Sequence, residues 1–399
     1  MVPMQTCKYF HQSRPTSFPL SNIKVLLLEG VSSSALNEFR AEAFIVETLA
    51  TALSEEEVME RIQDVHVLGI RSKTRVTATA LGAARRLLAV GCFCIGTNQA
   101  AKLRGVPVFN APFSNTRSVA ELTIAEVVAL ARQLGDRSNE MHAGTWRKVS
   151  RGCYEVGVLA EMLGMRVVYF DPLSKMAIGN AASRASLKEV LESADFVTLH
   201  VPATPATANL MGAAELSSMR KGSYLLNNSR GSVVDVAALA AALRSGALGG
   251  AAVDVFPSEP ERNGDGFATE LQGLPNMILT PHVGGSTEEA QAAIGLEVAS
   301  ALIKYINIGS SAGAVNFPQM DHPEDEDSHR VLNVHHNVPG VLRDVNRIIS
   351  DLDANIKAQV NVTDSDIGYL MMDINKEVSN EVKDALKQLP SNIRTRILY

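Results

Sequence analysis

The sequence has 399 residues, enough for two or three domains, and its 46% hydrophobic and 20% charged content is typical of a globular protein. A formal net charge of −6 argues against a main partner that is nucleic acid or an anionic membrane. No apolar run is long enough to cross a bilayer, and residues 1–22 lack the apolar core of a secretory signal. We therefore expect a cytoplasmic protein, with a weak transit peptide as the alternative. The four cysteines lack CxxC spacing and nearby histidines, so reduced thiols and no metal site are expected.

The first regular element is the apolar run IKVLLLEG at residues 23–30, which is typical of a strand buried on both faces. Further strand-like segments lie at residues 65–70, 86–93, 166–171, 195–202, 222–229, 250–256 and 276–282. Four S-x-x-E signatures predict capping boxes at helix starts, at Ser54/Glu57, Ser118/Glu121, Ser186/Glu189 and Ser286/Glu289. This alternation predicts an α/β protein with two doubly wound parallel sheets before about residue 310.

The pattern changes near residue 308. Residues 308–330 are first rich in glycine, serine and alanine and then acidic and polar, which predicts a linker. The remaining residues, to Tyr399, predict the element order β-α-β-β-α-β. That order is typical of a ferredoxin-like domain.

Several longer motifs carry a more specific signal. They are NAPFSNTRSVAEL (110–122), NNSRGSVVDVAALAAALRSG (227–246), GGAAVDVFPSEP (249–260) and LTPHVGGSTEEAQ (279–291). In these motifs and their order the chain resembles the D-isomer-specific 2-hydroxyacid dehydrogenases, of the type that ends in a small ACT regulatory domain. The resemblance extends from about residue 22 to Tyr399.

The resemblance implies a flavodoxin-like substrate-binding domain, a Rossmann-like NAD-binding domain and a ferredoxin-like ACT domain. It places an N-terminal extension at residues 1–22 and a discontinuous substrate-binding domain at 23–109 and 286–322. The NAD-binding domain is expected at 110–285 and the ACT domain at 328–399. A homotetramer is the expected assembly.

Oxidation of a secondary alcohol needs a base for the hydroxyl proton, and histidine suits this role because its pKa lies near neutrality. His282 follows a strand-like segment, at the end where parallel sheets place their sites. Glu259 could orient its ring, and Arg230 offers a planar fork for a substrate carboxylate. Each of the three could alone be a turn or surface residue. The resemblance implies that Arg230, Glu259 and His282 are the catalytic set.

The resemblance also implies residues that bind ligands. Contacts with NAD are expected from Asp171, His200, Pro202 and Asp254. Contacts with 3-phosphoglycerate are expected from Arg71, Ser72, Lys73 and Asn110. The first three of these form a local cationic cluster suited to a phosphate ester, with ordinary surface charge as the alternative. L-Serine is the expected effector, bound at His335, Asn337 and Asn355, although Asn355 could instead be a helix-end residue.

The sequence departs from the family at the dinucleotide-binding turn. Such folds carry a glycine-rich turn about 20 residues before the acid that binds the ribose, here Asp171. The chain contains no GxGxxG, and a strand–turn–helix start is missing between Val156 and Gly157. Excised sequence and a true loss of dinucleotide binding are both open as causes. We therefore expect NAD to bind this chain weakly.

The activity that the resemblance implies is NAD-dependent oxidation of 3-phospho-D-glycerate to 3-phosphonooxypyruvate, the first step of phosphorylated L-serine biosynthesis. Feedback by serine through the ACT domain is expected. Two alternatives stay open: a non-catalytic serine-binding or assembly paralogue, and reduction of 2-oxoglutarate. The second arises because the same three catalytic residues would serve any small 2-oxo acid.

Overall fold

A computed structural model describes residues 18–94, 104–146, 165–173, 175–177, 179, 181–260, 264–323, 325 and 327–399. The chain divides into two units, one formed by Met1–Ser114 with Gln291–Tyr399 and the other by Asn115–Ala290. None of the described helices combines the length and the apolar character needed to span a membrane.

The first unit contains a five-stranded parallel sheet with the order β2-β1-β3-β4-β5. Its strands are β1 (Lys24–Leu27), β2 (Ile45–Thr48), β3 (Val67–Ile70), β4 (Ala89–Cys92) and β5 (Val108–Asn110). The helices are α1 (Ser33–Ala41), α2 (Glu55–Arg61), α3 (Ala78–Ala83) and α9 (Glu288–Ile308). This order is that of flavodoxin-like folds, as predicted. The central strands β3 and β4 are wholly buried because helices cover both faces.

Helix α9 packs closely on this sheet. A Cβ atom added at Gly91 of β4 would lie 2.7 Å from Leu302 Cδ1 and 2.8 Å from a Val298 methyl carbon, so only glycine leaves room for the helix. Val298 and Leu302 are fully buried. Helix α9 therefore belongs to the layers that cover the first sheet, although its residues follow the second unit in the chain.

The C-terminal residues form a four-stranded antiparallel sheet with the order β13-β14-β12-β15. Its elements are β12 (His329–His336), α10 (Val341–Asp351), β13 (Ile356–Thr363), β14 (Ile367–Ile374), α11 (Ser379–Lys387) and β15 (Asn392–Leu398). The two helices cover one face through a core that includes Val345, Leu370 and Val382. The predicted β-α-β-β-α-β order is confirmed.

The segment predicted as a linker is packed, which differs from the expectation for residues 308–330. Ser311 is fully buried, and its hydroxyl donates to Pro318 O at 2.7 Å. Asn316 Oδ1 accepts from Val108 N at 2.8 Å, and Ala314 forms a bridge with Phe109, so this segment extends the sheet beside β5. Small and polar residues therefore serve close packing here rather than flexibility.

The uncovered face of the C-terminal sheet shares a core with the first sheet. Leu332 and Tyr369 pack in one cluster with Tyr305 and Phe317. The rings of Phe317 and Tyr369 are 5.1 Å apart between centroids, and Tyr369 Oη donates to Gly309 O at 2.7 Å. The C-terminal module is thus part of the first unit and does not form a separate core on this face.

The second unit contains a four-stranded parallel sheet with the order β11-β10-β9-β8 and a separate two-stranded sheet, β6-β7. The strands are β6 (Val168–Tyr169), β7 (Ala182–Ser183), β8 (Phe196–Leu199), β9 (Tyr224–Asn227), β10 (Gly250–Val253) and β11 (Met277–Leu279). The helices are α4 (Thr116–Arg132), α5 (Leu134–His142), α6 (Leu187–Ser193), α7 (Ala213–Ser218) and α8 (Val236–Arg244). Among the described residues, β8 is an edge strand, and no described strand pairs with both β8 and β6.

The four predicted helix starts have different outcomes. Ser54 and Glu57 form a complete capping box, and the Ser186 hydroxyl accepts from Glu189 N. Ser118 instead lies inside α4, where its hydroxyl bonds to Thr287 Oγ1 at 2.7 Å. Thr287, rather than Ser286, accepts from the first turn of α9, through Ala290 N at 3.2 Å. The two incorrect predictions arise because a neighbouring residue begins the helix.

Candidate active site

Side chains predicted to act in catalysis or cofactor binding lie at the carboxyl ends of successive strands in the second unit. Asp171, His200, Arg230, Asp254 and His282 follow β6, β8, β9, β10 and β11, respectively. Parallel strands bring their carboxyl ends to one edge of a sheet, where open α/β folds bind ligands. Strand–loop order therefore places His200, Arg230, Asp254 and His282 along one edge of the four-stranded sheet, whereas Asp171 follows β6 of the separate two-stranded sheet.

His282 and Glu259 form a hydrogen-bonded pair. His282 Nδ1 lies 2.8 Å from Glu259 Oε2, while Glu259 Oε1 accepts from Phe256 N at 3.0 Å. The backbone of His282 has the left-handed φ of 54°, and its N–H donates to Asp254 O at 2.8 Å. The carboxylate and the strained turn together hold the imidazole in one orientation.

The pKa values in this pair favour an ionised Glu259. The hydrogen bond to Glu259 raises the pKa of His282 above its ordinary value, despite partial burial. Burial would raise the pKa of Glu259, but the hydrogen bonds from His282 and the Phe256 N–H bring it below its ordinary value. An ionised Glu259 accepts a hydrogen bond from Nδ1–H of a neutral His282, which leaves the lone pair of Nε2 to accept a proton.

Arg230 lies beside this pair. Its positive charge has a small effect on both groups: it helps to lower the pKa of Glu259 and partly offsets the rise in the pKa of His282. The turn that carries it is fixed by Asn227, whose side-chain nitrogen donates to Arg230 O at 3.1 Å. A Cβ at Gly231 would lie 1.9 Å from the Phe256 carbonyl carbon, so glycine is required where this turn meets the loop before Glu259.

Asp254 is 1% exposed and organises the loop that bears His282. Its Oδ1 accepts from Thr280 Oγ1 at 2.6 Å and from Val283 N at 2.8 Å, and its Oδ2 accepts from Gly284 N at 2.8 Å. A carboxylate has about four acceptor sites, and three are used here. Asp254 therefore shapes the loop and keeps little capacity for the nicotinamide contact predicted from the resemblance.

Glu126 of α4 is a site residue that the sequence analysis missed. It is 3% exposed, and its Oε2 accepts from Asn228 Nδ2 at 2.7 Å, two residues before Arg230. Glu126 Oε1 and Asn228 Oδ1 have no hydrogen-bond partner among the described residues. Burial and, to a smaller extent, the negative charge of Asp254 raise the pKa of Glu126 to about 7, although the hydrogen bond from Asn228 acts in the opposite direction. Its signal in the sequence is a single acid within the apolar run LTIAEVVALA.

Replacing Glu126 with glutamine should stabilise the protein at alkaline pH. The folded pKa of about 7 exceeds the ordinary value of 4.5, so the folded state retains the proton and loses stability as pH rises between these values. Glutamine removes this loss. The gain of E126Q over the parent in unfolding free energy should increase by about 2–3 kcal/mol from pH 5 to pH 8. Urea unfolding at both pH values measures it, and a gain independent of pH would contradict a buried titrating carboxyl.

The residues expected to bind the rest of NAD are exposed. Asp171 Oδ1 accepts from Leu173 N at 2.8 Å, and the side chain stands at the end of β6. His200 Nε2 lies 3.0 Å from Thr198 Oγ1. The carbonyl of Pro202 accepts from Thr207 Oγ1 at 2.6 Å. All three follow strands of the second unit, although β6 and β8 belong to separate sheets.

The residues expected to bind substrate lie in the first unit, at the carboxyl ends of β3 and β5. Arg71, Ser72 and Lys73 follow β3, and Asn110 ends β5. Glu29, which the sequence analysis also missed, accepts from Lys73 N at 3.0 Å and from Thr74 N at 2.7 Å. This carboxylate fixes the cationic loop while Ser72 and Lys73 stay exposed.

The residues expected to bind serine lie on and beside the C-terminal sheet. His335 is 2% exposed, with Nδ1 3.2 Å from Asn333 Oδ1. Asn337 and Asn355 are exposed, and Asn337 Nδ2 donates to Asp364 O at 2.7 Å. Asn337 therefore lies two residues after a buried imidazole whose pKa is lowered by burial. Asn355 lies at the opposite end of the sheet, because Ile356 pairs with Ile374 whereas His335 pairs with Gly368, so a single chain does not bring the three residues together.

Comparisons with known proteins identify the family of this chain. Residues 153–284 match the family described as D-isomer specific 2-hydroxyacid dehydrogenase, NAD binding domain, and residues 332–394 match the AHAS small subunit-like ACT domain. The chain is 51% identical to the D-3-phosphoglycerate dehydrogenase of Dictyostelium discoideum, covering 96% of this chain and 99% of that protein. The chain belongs to the D-3-phosphoglycerate dehydrogenase family. Its relative from Escherichia coli is 45% identical, with 96% of this chain and 99% of that protein covered.

Solved structures share the fold. A protein from Thermus thermophilus is 28% identical with a TM-score of 0.65, covering 73% of this chain and 100% of that chain. A D-lactate dehydrogenase from Aquifex aeolicus, solved with NAD and lactic acid, has a TM-score of 0.64 at 22% identity. That match covers 74% of this chain and 100% of that chain.

The alignment with the Dictyostelium relative contains gaps in this chain. It extends over 405 positions but uses only 96% of the 399 residues here, so some positions of that relative have no counterpart in this chain. The break predicted near 156/157 lies outside the described residues, as does the whole of 147–164.

Of the residues expected to bind NAD, Asp171 is exposed after β6, and His200 and Asp254 follow β8 and β10. Among the described residues, no glycine-rich strand–helix turn precedes Asp171. A complete pyrophosphate cradle is therefore absent from the part of the chain that the structure describes.

Proposed function

We propose that this protein catalyses NAD-dependent oxidation of 3-phospho-D-glycerate to 3-phosphonooxypyruvate and is inhibited by L-serine. The observation that carries the proposal is the His282–Glu259 pair, 2.8 Å apart, beside Arg230 at the carboxyl end of a parallel sheet. The near-full-length similarity to D-3-phosphoglycerate dehydrogenases supports the choice of substrate. The proposed place of action is the cytoplasm, in an assembly of several copies of the chain.

Each of these residues has a separate role in the reaction. Neutral His282 accepts the hydroxyl proton on Nε2, while ionised Glu259 holds Nδ1–H and stabilises the imidazolium that forms. Arg230 binds the substrate carboxylate and the developing negative charge on the carbonyl oxygen. Bound NAD supplies the hydride acceptor. The cationic loop with Arg71 and Lys73 binds the phosphate.

An absorbance assay tests this function. The chain should be compared with a version that carries, between Val156 and Gly157, the corresponding segment of the Dictyostelium relative. With NAD and 3-phosphoglycerate, the lengthened version should form NADH, whereas D-lactate, which lacks the phosphate, should react far more slowly. Equal rates with both substrates would refute the role of the cationic loop in substrate choice. No turnover of 3-phosphoglycerate would refute the proposed reaction.

Serine should bind whether or not that segment is present. Replacing the exposed Asn355 with alanine removes an amide that can donate to the serine carboxylate or accept from its ammonium, so affinity should fall about tenfold. Isothermal titration with L-serine measures this change. Asn346→Ala, an exposed asparagine on α10, is the matched control and should bind serine as the parent does. Equal affinity of the two variants would exclude Asn355 from the site.

The absent glycine-rich turn favours a second candidate, a non-catalytic serine-binding paralogue. It retains the C-terminal module and the surfaces for assembly but lacks a working cofactor site. The full transcript distinguishes the two candidates, because it either encodes a strand–GxGxxG segment at position 156/157 or does not.

A further inference from the structure

A small cavity of about 250 Å³ lies within the first unit, and none of the residues proposed to act in catalysis lines it. It is bounded by the segment from α3 to β4, by residues just before β5, and by β15 of the C-terminal sheet. Leu81, Leu87 and Val106 contribute apolar walls. The cavity therefore bridges the first sheet and the C-terminal module.

Three arginines line this cavity, Arg85, Arg104 and Arg394. No carboxylate is among the described lining residues, and within the described ranges none of the three forms an ion pair. Like charges that line one small volume repel each other, and the half-buried charge of Arg394 is costly unless it is paired, whereas Arg85 and Arg104 are exposed. An anion in the cavity would offset both effects.

Two of the three guanidinium groups are held in place by the backbone. Arg104 Nη1 donates to Leu81 O at 2.9 Å, and Arg394 Nη1 donates to Leu87 O. Each guanidinium has five N–H donors, so these single bonds orient the group and leave donors for a ligand. The neighbouring Arg396 is used differently, since it stacks over Tyr305 and donates to Ile306 O.

We propose that Arg85, Arg104 and Arg394 form an anion-binding site for a small dianion with a phosphate or two carboxylate groups. Planar guanidinium groups bind both of these chemical groups in bidentate fashion. The occupant joins β15 to the segment between α3 and β4. It thereby stabilises the docked position of β15, which pairs with β12, the strand that carries His335.

Titration of the full chain with inorganic phosphate and with malonate tests the site, against chloride at equal ionic strength. Saturable binding is expected by calorimetry, together with slower hydrogen exchange in residues 392–398. Arg85→Gln, which removes an exposed group that anchors no described backbone, should weaken phosphate binding about tenfold. Arg86→Gln is the matched control because Arg86 is exposed and does not line the cavity.

The outcomes separate the proposal from its alternatives. Weaker binding in R85Q than in R86Q, with the exchange effect confined to the parent and R86Q, supports the site. Equal binding in the two variants, or phosphate binding with no change in exchange at 392–398, overturns it and assigns the binding to another cationic site such as the Arg71 loop. A response to phosphate but not malonate identifies a phosphate site, and the reverse a dicarboxylate site. Both results retain the proposal. None of these readouts requires catalytic activity.

Discussion

NADH should bind the 399-residue chain at least about a hundredfold more weakly than a version with a strand–GxGxxG segment inserted between Val156 and Gly157. Backbone N–H groups at a helix N-terminus normally hold the pyrophosphate. Charge-assisted hydrogen bonds contribute about 1.5–3 kcal/mol each, so the loss of two accounts for this difference. Asp171 would still contact the ribose end of the cofactor, which leaves a small residual affinity.

The organisation of the second unit agrees with this expectation. In a dinucleotide-binding sheet of order 3-2-1-4-5-6, the first strand lies between the strands that correspond here to β6 and β8. Those two strands belong to separate sheets, and the described residues provide no strand between them. The inserted segment would supply both the missing strand and the turn that follows it.

Fluorescence titration of both versions with NADH measures the difference. Serine titration on the same samples is the internal control, because His335, Asn337 and Asn355 lie in the other unit. If both versions bind NADH with equal micromolar affinity while both bind serine, the existing residues build a different cradle. Because serine binding would show that both versions are folded, the prediction of weak NADH binding would then be wrong.

His282→Ala, made in the lengthened version, should lower kcat by about 10²–10⁴-fold and change KM much less. General base catalysis contributes on this scale, whereas the substrate phosphate and carboxylate are bound by other residues. Steady-state kinetics with 3-phosphoglycerate measures both parameters. An unchanged kcat would exclude His282 as the group that accepts the proton.

A variant of Glu259, the hydrogen-bond partner of His282, tests the electrostatic part of the same mechanism. Glu259 raises the pKa of His282, and oxidation requires the neutral imidazole, so kcat/KM should rise with pH through the pKa of His282. Glu259→Gln removes the charge that favours the imidazolium. The rising limb of the pH profile should therefore move to lower pH, with a lower plateau. A profile that moves to higher pH would contradict the assignment.

The sequence predicted the strand ends well but the buried contacts poorly. Arg230, Glu259 and His282 follow β9, β10 and β11 of one parallel sheet, so strand–loop order alone placed them at one edge of that sheet. Glu126 was missed because a single acid within an apolar helix gives no periodic signal, and only the packed structure shows Asn228 beside it. The same holds for Glu29, whose bonds to Lys73 N and Thr74 N join residues far apart in the chain.

The predicted linker shows a second limit of sequence reasoning. Gly, Ser and Ala are common in flexible segments, but the same small residues allow close packing when neighbouring elements approach. At Ser311 the burial is complete, and the hydroxyl finds a backbone partner in Pro318. Composition cannot distinguish these two uses, because the distinction depends on tertiary contacts with Val108 and Phe109.

The core shared by Tyr305, Phe317, Leu332 and Tyr369 determines what a deletion would do. A chain shortened to residue 327 would lose Leu332 and Tyr369 and uncover Tyr305, which is now 1% exposed, and Phe317, which is 6% exposed. Newly exposed aromatic surface of this kind promotes self-association. Removal of the C-terminal module should therefore yield an aggregating fragment rather than an enzyme that serine no longer inhibits. An enzyme insensitive to serine would have to be made by point substitution.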